Sequence, residues 1–154
     1  MAARTPVPVI FPLSNPTSHT EAAPADILAW SGGRALVATG SPFAPVQAGG
    51  RTRVISQANN LYTFPGLGLG TIAAKARTVT DQMLLTAAIT LAGLVSGARL
   101  REGALYPPLA GLRPISRAIA IAVAREAQQA GLARMDPGLS AEEAVDATVW
   151  TPEY

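Results

Sequence analysis

Two stretches decide the fold: Val7-Pro8-Val9-Ile10-Phe11-Pro12-Leu13-Ser14-Asn15-Pro16 and Arg34-Ala35-Leu36-Val37-Ala38-Thr39-Gly40-Ser41-Pro42. Each is a near-continuous apolar run, rich in branched side chains, that stops abruptly at small polar turn formers. Runs of this kind, lacking apolar–polar alternation, read as strands buried on both faces of a parallel sheet. Between them, Pro24–Trp30 reads as a short helix. Pro24 suits the first helical position, Asp26 lies at the positive helix start, and Gly32-Gly33 stops it. Strand, polar turn, helix, strand and polar turn make a βαβ unit, for which a right-handed crossover is expected.

Working outward, residues 43–57 read as a loop or irregular excursion containing Gly49-Gly50, Arg51 and Arg53. The remainder reads as helical. Residues 59–76 form one glycine-rich helix interrupted by Pro65. Thr80 caps a second, with Asp81 in its first turn, that runs to about residue 95. In residues 114–130, Ile115, Ile119, Ala122, Val123 and Ala127 share a face and Gly131 closes the helix. Ser140 and Glu143 match a capping box that opens a last helix running to about residue 150. The expected fold class is α/β: a partial, Rossmann-like, doubly wound parallel sheet with two main strands and several C-terminal helices. Two strands cannot build such a sheet alone, so further strands are expected from outside these residues.

Composition points the same way. The 154 residues are 49% hydrophobic and only 14% charged, against a usual charged share of about 25%. Disordered chains are polar and charge-rich, so disorder is excluded. The formal net charge of +2 is too small to argue for nucleic acid or for a membrane surface. There is no cysteine, which removes disulfides, thiolate metal sites and cysteine nucleophiles and fits a cytoplasmic setting. Pro6, Pro8 and Pro12 break any signal-peptide core, and no apolar stretch reaches the ~18 residues needed to span a bilayer. The charge deficit suggests a surface built to face more protein.

Several residues could carry chemistry. Ser14-Asn15 sits at the carboxyl end of the first strand, where open α/β sheets bind their ligands. Taken alone, an Asx turn before Pro16 is the plainer reading of Asn15. Gly40-Ser41-Pro42 occupies the same place after the second strand, and the repetition makes one edge where a cofactor could lie. Gln57-Ala58-Asn59-Asn60 reads as a helix opening, where either asparagine could cap and the pair of amides could hold a carboxylate. Gly66-Leu67-Gly68-Leu69-Gly70 is not a dinucleotide fingerprint. Thr71 stands where that pattern needs glycine, and the run lies inside a helix, so close helix packing is the better account. His19, the only histidine, reads as solvent-exposed. Glu142, Glu143 and Asp146 read as a solvated face rather than a metal site.

The order and spacing of the segments carry a resemblance. Phe11-Pro12-Leu13-Ser14-Asn15-Pro16-Thr17-Ser18, then Gly33 to Phe43, then Asn59-Asn60-Leu61-Tyr62-Thr63-Phe64-Pro65-Gly66, together resemble the malic enzymes. Leu105-Tyr106-Pro107-Pro108-Leu109, the helix around Ile115-Ser116-Arg117, and the ending Trp150 to Tyr154 extend the likeness over nearly the whole chain. The ending is similar to that of the bacterial NAD-dependent branch. The resemblance implies oxidation of L-malate with NAD or NADP and decarboxylation of bound oxaloacetate to pyruvate. It implies a Mg or Mn ion as Lewis acid, with its ligands outside this chain. It assigns Asn15 and Ser14 to the cofactor, and Asn15, Asn59 and Asn60 to malate. No catalytic residue or metal ligand falls here. The family's tyrosine acid, lysine base, metal carboxylates and glycine loop all lie upstream, and Lys75, the only lysine, does not replace them. His19 and Thr63 depart from the family's usual residues.

On this resemblance the chain is the last quarter to third of such an enzyme. Residues 1–132 are expected to be the distal part of the NAD(P)-binding domain and residues 133–154 a C-terminal helical tail. The partners implied are malate and pyruvate, the missing N-terminal part, and further copies in a homo-oligomer; nucleic acid and membrane are not among them. The competing reading is a stand-alone module for dinucleotide binding or subunit interaction, without catalysis.

Overall fold

The computed structural model describes residues 2–150, so Tyr154, in the ending noted above, lies outside the described residues. In chain order the elements are β1 (Val9–Ile10), α1 (Pro24–Trp30), β2 (Leu36–Thr39), β3 (Val46–Ala48), β4 (Arg51–Arg53), β5 (Ser56–Gln57), α2 (Phe64–Ala73), α3 (Asp81–Gly93), α4 (Gly97–Arg101), α5 (Leu112–Gln129) and α6 (Ala141–Thr148). They form two compact units, one from residues up to Asn59 together with Val95–Pro107, the other from Asn60–Leu94 together with the residues from Pro108 on.

The first unit is built on a parallel sheet of order β1-β2-β5. The expected βαβ unit is present, with α1 at the residues read from Pro24 and Asp26. Ile27 and Leu28 of α1 pack on Ala35 and Val37 as the core of this unit. Four details differ from the sequence reading. The sheet has three strands rather than two main ones, because Ser56-Gln57 pairs with Ala38-Thr39. Residues 43–57 are not a loop: β3 and β4 form an antiparallel hairpin closed by Gly49 and Gly50, both at positive φ. This is the mirror-image turn that two-residue hairpins favour. The second strand begins at Leu36 rather than Arg34.

The fourth difference concerns the first strand, which is not buried on both faces. Its ladder is extended by bonds from Leu36 N to Pro8 O at 2.9 Å and from Gly40 N to Pro12 O at 2.9 Å. Pro8 and Pro12 are buried, while Val7, Val9, Phe11 and Leu13 are 52%, 50%, 42% and 51% exposed. Alternate residues of a strand point to opposite faces, so one apolar face of β1 is largely open, although the Phe11 ring meets Tyr106 with ring centroids 6.4 Å apart.

The second unit is helical. The helix expected over residues 59–76 is a 3-10 turn at Asn60–Tyr62 followed by α2. Pro65 does not interrupt α2 but lies in its first turn, where its missing N–H has no helical partner to lose. Gly66 and Gly70 face α5 and Gly68 does not, so the glycine run serves helix packing. Ile115, Ile119, Ala120, Val123, Ala124 and Ala127 form the buried stripe of α5, which starts at Leu112, before Pro114. Thr80 caps α3 by accepting from Met83 N at 3.3 Å. The five-residue α4, on the first unit, was not read from the sequence.

The capping box of α6 forms as expected. Ser140 Oγ accepts from Glu143 N at 3.1 Å, and Glu143 Oε2 accepts from Ser140 N at 2.8 Å. The helix ends at Thr148, two residues short of the expectation. Arg117 on α5 ties it down, donating to both carboxylate oxygens of Asp146 at 2.7 Å and to Glu142 at 2.7 Å. Replacing Ser140 by alanine removes one acceptor and is expected to lower the unfolding free energy by about 1 kcal/mol. An unchanged urea midpoint would contradict the cap's contribution. Among the described residues no helix is long and apolar enough to cross a membrane.

Candidate functional site

In the first unit the carboxyl ends of β1, β2 and β5 lie side by side, because the strands are parallel and hydrogen-bonded in that order. Each end releases a short polar turn. After β1 come Ser14 and Asn15, after β2 Gly40 and Ser41, and β5 ends at Gln57 beside Ala58 and Asn59. Side-chain bonds stitch the three ends together. The Ser41 hydroxyl, buried, donates to Asn15 Oδ1 at 2.5 Å. Thr39 Oγ1 donates to Ser41 O at 2.7 Å. Gln57 Nε2 donates to Gly40 O at 3.0 Å, and Ala58 N donates to Thr39 O at 2.8 Å.

Asn15 is exposed. Its amide oxygen is taken by Ser41, which leaves its Nδ2 as a donor with no hydrogen-bond partner among the described residues. The turn after it includes a cis Asn15–Pro16 peptide. Ser14 is held by Glu21: its N–H donates to Oε2 at 3.3 Å and its hydroxyl to Oε1 at 2.9 Å. Glu21 is drawn below the usual carboxylate range, first by its own backbone N–H and then by these two Ser14 donors. Since the Ser14 hydroxyl proton is committed, Ser14 Oγ can serve a ligand only as an acceptor. Glu21 also lines an apolar hollow of about 580 Å³ with Ile10, Phe11, Ala22, Ile27 and Trp30.

Asn59 is half-buried and closes the first unit, and Asn60, exposed, opens the second. Neither stands at the N-cap of α2. The residue before α2 is Thr63, with no side-chain cap bond, and Asn60 instead begins the 3-10 turn, its carbonyl accepting from Thr63 N at 3.1 Å. The expected helix opening at this pair is thus a 3-10 turn that starts at Asn60, and the α-helix itself begins at Phe64-Pro65.

Sequence reasoning put Gln57 in a helix opening and passed over Ser56, because β5 was hidden in the excursion. Ser56 is buried, and its hydroxyl accepts from Leu105 N at 2.9 Å and Tyr106 N at 3.2 Å, fixing the segment after α4 to this sheet. Burial pushes the Tyr106 phenol up. The remaining candidates keep their plainer readings. His19 is exposed in a 3-10 turn. Glu142 and Asp146 are bound to Arg117, and Glu143 completes the capping box. Lys75 is exposed in the left-handed region with φ 47°.

The edge offers neutral donors and acceptors and no charge of its own besides Glu21, a set suited to a carboxamide or a ribose. Among the described residues no three His, Cys, Asp or Glu side chains stand together.

Comparison with known proteins identifies the architecture. Residues 1–128 match the family described as malic enzyme, NAD binding domain. The chain is 50% identical over 147 residues to an NAD-dependent malic enzyme of Aeromonas hydrophila and 52% over 150 residues to that of Aeromonas salmonicida. In both cases 96% of this chain is covered but 26% of the relative, so the chain spans about a quarter of the length of these curated relatives. Among solved structures, the malic enzyme of Pyrococcus horikoshii Ot3 matches with a TM-score of 0.69 at 32% identity, covering 91% of this chain and 28% of that one. The malic enzyme of Entamoeba histolytica matches with a TM-score of 0.69 at 27% identity, over 90% of this chain and 25% of that one. A strand-end edge of this kind, a family match over most of the chain and two solved malic enzymes of the same fold agree: this chain belongs to the malic enzymes, as a portion of their NAD-binding domain.

Proposed function

We propose that the chain supplies the distal wall of the cofactor site in an enzyme that oxidises L-malate with NAD and releases pyruvate and CO2. The observation that carries this reading is the joined edge of β1, β2 and β5, which presents Asn15 Nδ2 at the carboxyl ends of a parallel sheet. NAD, when bound, supplies the hydride acceptor. On this reading Asn15 donates from Nδ2 to an oxygen of the nicotinamide carboxamide or of malate, and Ser14 Oγ accepts from the cofactor. Asn59 and Asn60 bind malate through their amides. Ser41 orients Asn15, and Glu21 orients Ser14. NAD rather than NADP is favoured by the names of the relatives.

This portion binds and orients. The acid, the base, the metal ligands and the phosphate-binding glycine loop come from the upstream part of the enzyme. The open face of β1 supports that dependence, since parallel sheets are ordinarily covered on both faces. We further propose that residues 1–132 belong to the cofactor domain and 133–154 to a C-terminal tail, that the complete enzyme is a cytoplasmic homo-oligomer, and that it uses Mg or Mn held by upstream residues.

The purified chain, given malate, NAD and Mn²⁺, is expected to form no NADH; measurable turnover would overturn this division of labour. Grafted onto the upstream part of a full-length relative, the chain is expected to restore turnover. In that enzyme Asn60→Ala should lower malate kcat/KM by about tenfold or more, as loss of a hydrogen bond to a charged group does, while NAD affinity stays level. Unchanged malate kinetics would remove Asn60 from the site.

A further inference from the structure

At the opposite, amino-terminal edge of the same unit lies an open cleft of about 480 Å³, between the segment leading into β2 and the β3–β4 hairpin. Arg34, Arg51 and Arg53 line it. Arg51 and Arg53 are two residues apart on β4, so their side chains leave the same face. None of the three forms an ion pair with a carboxylate among the described residues; the ion pairs present are Arg99–Glu102 and those of Arg117. Three positive charges thus line a concave surface with no carboxylate in ion-pair contact among the described residues.

Their hydrogen bonding leaves capacity. Arg34 donates to the carbonyls of Ser31, Pro6 and Ala2 at 3.0, 2.8 and 3.0 Å, which fixes its guanidinium in place. Arg53 donates to Gly33 O at 2.9 Å, and its buried Nε has no partner. A buried guanidinium N–H without an acceptor is costly, and an entering oxyanion that draws the group toward it relieves the deficit. Arg51 is exposed, and its side chain makes no hydrogen bond or ion pair among the described residues. The hairpin tip beside it, Gly49-Gly50, carries no side chains, so an anion can approach the backbone there. Pro6, Val7 and Leu36 give the remaining wall an apolar character.

We propose that this cleft binds the phosphate group of a small phosphorylated metabolite, with the arginines on the phosphate and the organic part against the apolar wall. A tetrahedral dianion accepts donors from several directions at once, which suits guanidinium groups reaching in from two segments. A single planar carboxylate is satisfied by one such fork. The cleft lies at the end of the sheet away from Asn15 and Ser41, so its ligand does not compete with the proposed cofactor.

Inorganic pyrophosphate is the probe, titrated calorimetrically into the 154-residue chain at low ionic strength. Binding is expected with a dissociation constant on the order of 0.1–1 mM, weakening as salt is added. Arg51→Ala, which removes no bond within the fold, should weaken it about tenfold, and Arg53→Ala should weaken it at least as much. Arg125→Ala, an exposed arginine on α5 remote in sequence from the cleft, should change nothing. Absence of heat up to about 10 mM pyrophosphate, or equal weakening by Arg51→Ala and Arg125→Ala, would overturn the site. Citrate binding as tightly as pyrophosphate, and equally sensitive to Arg51→Ala, would overturn the assignment to phosphate. Should Arg53→Ala lose its far-UV circular dichroism, the Arg51→Ala result decides alone.

Discussion

Gly70→Ala is expected to cost the helical unit about 3 kcal/mol or more, at the upper end of what overpacking does. A Cβ at Gly70 would stand 2.4 Å from the Ala120 carbonyl oxygen, 2.9 Å from Val123 Cβ and 3.0 Å from Ala120 Cα. Two of these atoms are backbone and the third is the branch point of a stiff side chain, so no flexible tip can move aside. The α2 helix would have to lift away from α5, uncovering Ile119 and Val123, which are fully buried. Against a total stability of roughly 5–15 kcal/mol, such a loss is large. Gly66→Ala should act alike, meeting Ile119 Cβ and the Ser116 oxygen, each at 2.7 Å. Gly68 is the internal control, since nothing lies within 4 Å of its added Cβ. There alanine should stabilise by about 0.5–1 kcal/mol, through its helix propensity. Urea unfolding followed by circular dichroism reads all three, and a neutral Gly70→Ala would refute the close packing of α2 on α5.

The second large effect is expected at Gly40. Its added Cβ would fall 2.1 Å from the Leu13 carbonyl oxygen and 2.6 Å from the Leu13 carbonyl carbon. The ends of β1 and β2 touch backbone to backbone here, beside the bond from Gly40 N to Pro12 O. Gly40→Ala must therefore spread the two strand ends, which carry Asn15 and Ser41. We expect destabilisation of about 3 kcal/mol or more. In the grafted full-length enzyme, activity should fall further than the folded fraction, because the Asn15–Ser41 pair is pulled apart. Matching losses of activity and folded protein would show that Gly40 serves stability alone.

Much of this was legible in the residues. Pro24, Asp26 and Gly32 delimit α1, and Ser140 with Glu143 marks the start of α6, because caps act locally and their partners are three residues away. The hairpin also had a local signal, Gly49-Gly50 between short flanking segments, but strands of three residues with arginines on them do not show an apolar pattern. β5 is shorter still, and its pairing with β2 is set by tertiary packing. The apolar run of β1 reads the same whether its cover lies inside or outside the chain, so burial on both faces was expected where one face is open. Asn15 was legible as a strand-end residue. That its oxygen is engaged by Ser41, leaving its Nδ2 to donate, follows only from the third dimension, as does the role of Gln57 in joining β5 to Gly40.

The open side of β1 also governs how the chain behaves as a solute. Val7, Val9, Phe11 and Leu13 form a row beside an unpaired strand edge, the template on which chains associate edge to edge. With only 14% charged residues and a formal charge of +2, there is little repulsion to keep copies apart. The isolated chain is therefore expected to self-associate through this edge as its concentration rises. Dilution, and a pH well below its isoelectric point near 9.5, where added positive charge makes copies repel, should both oppose that association.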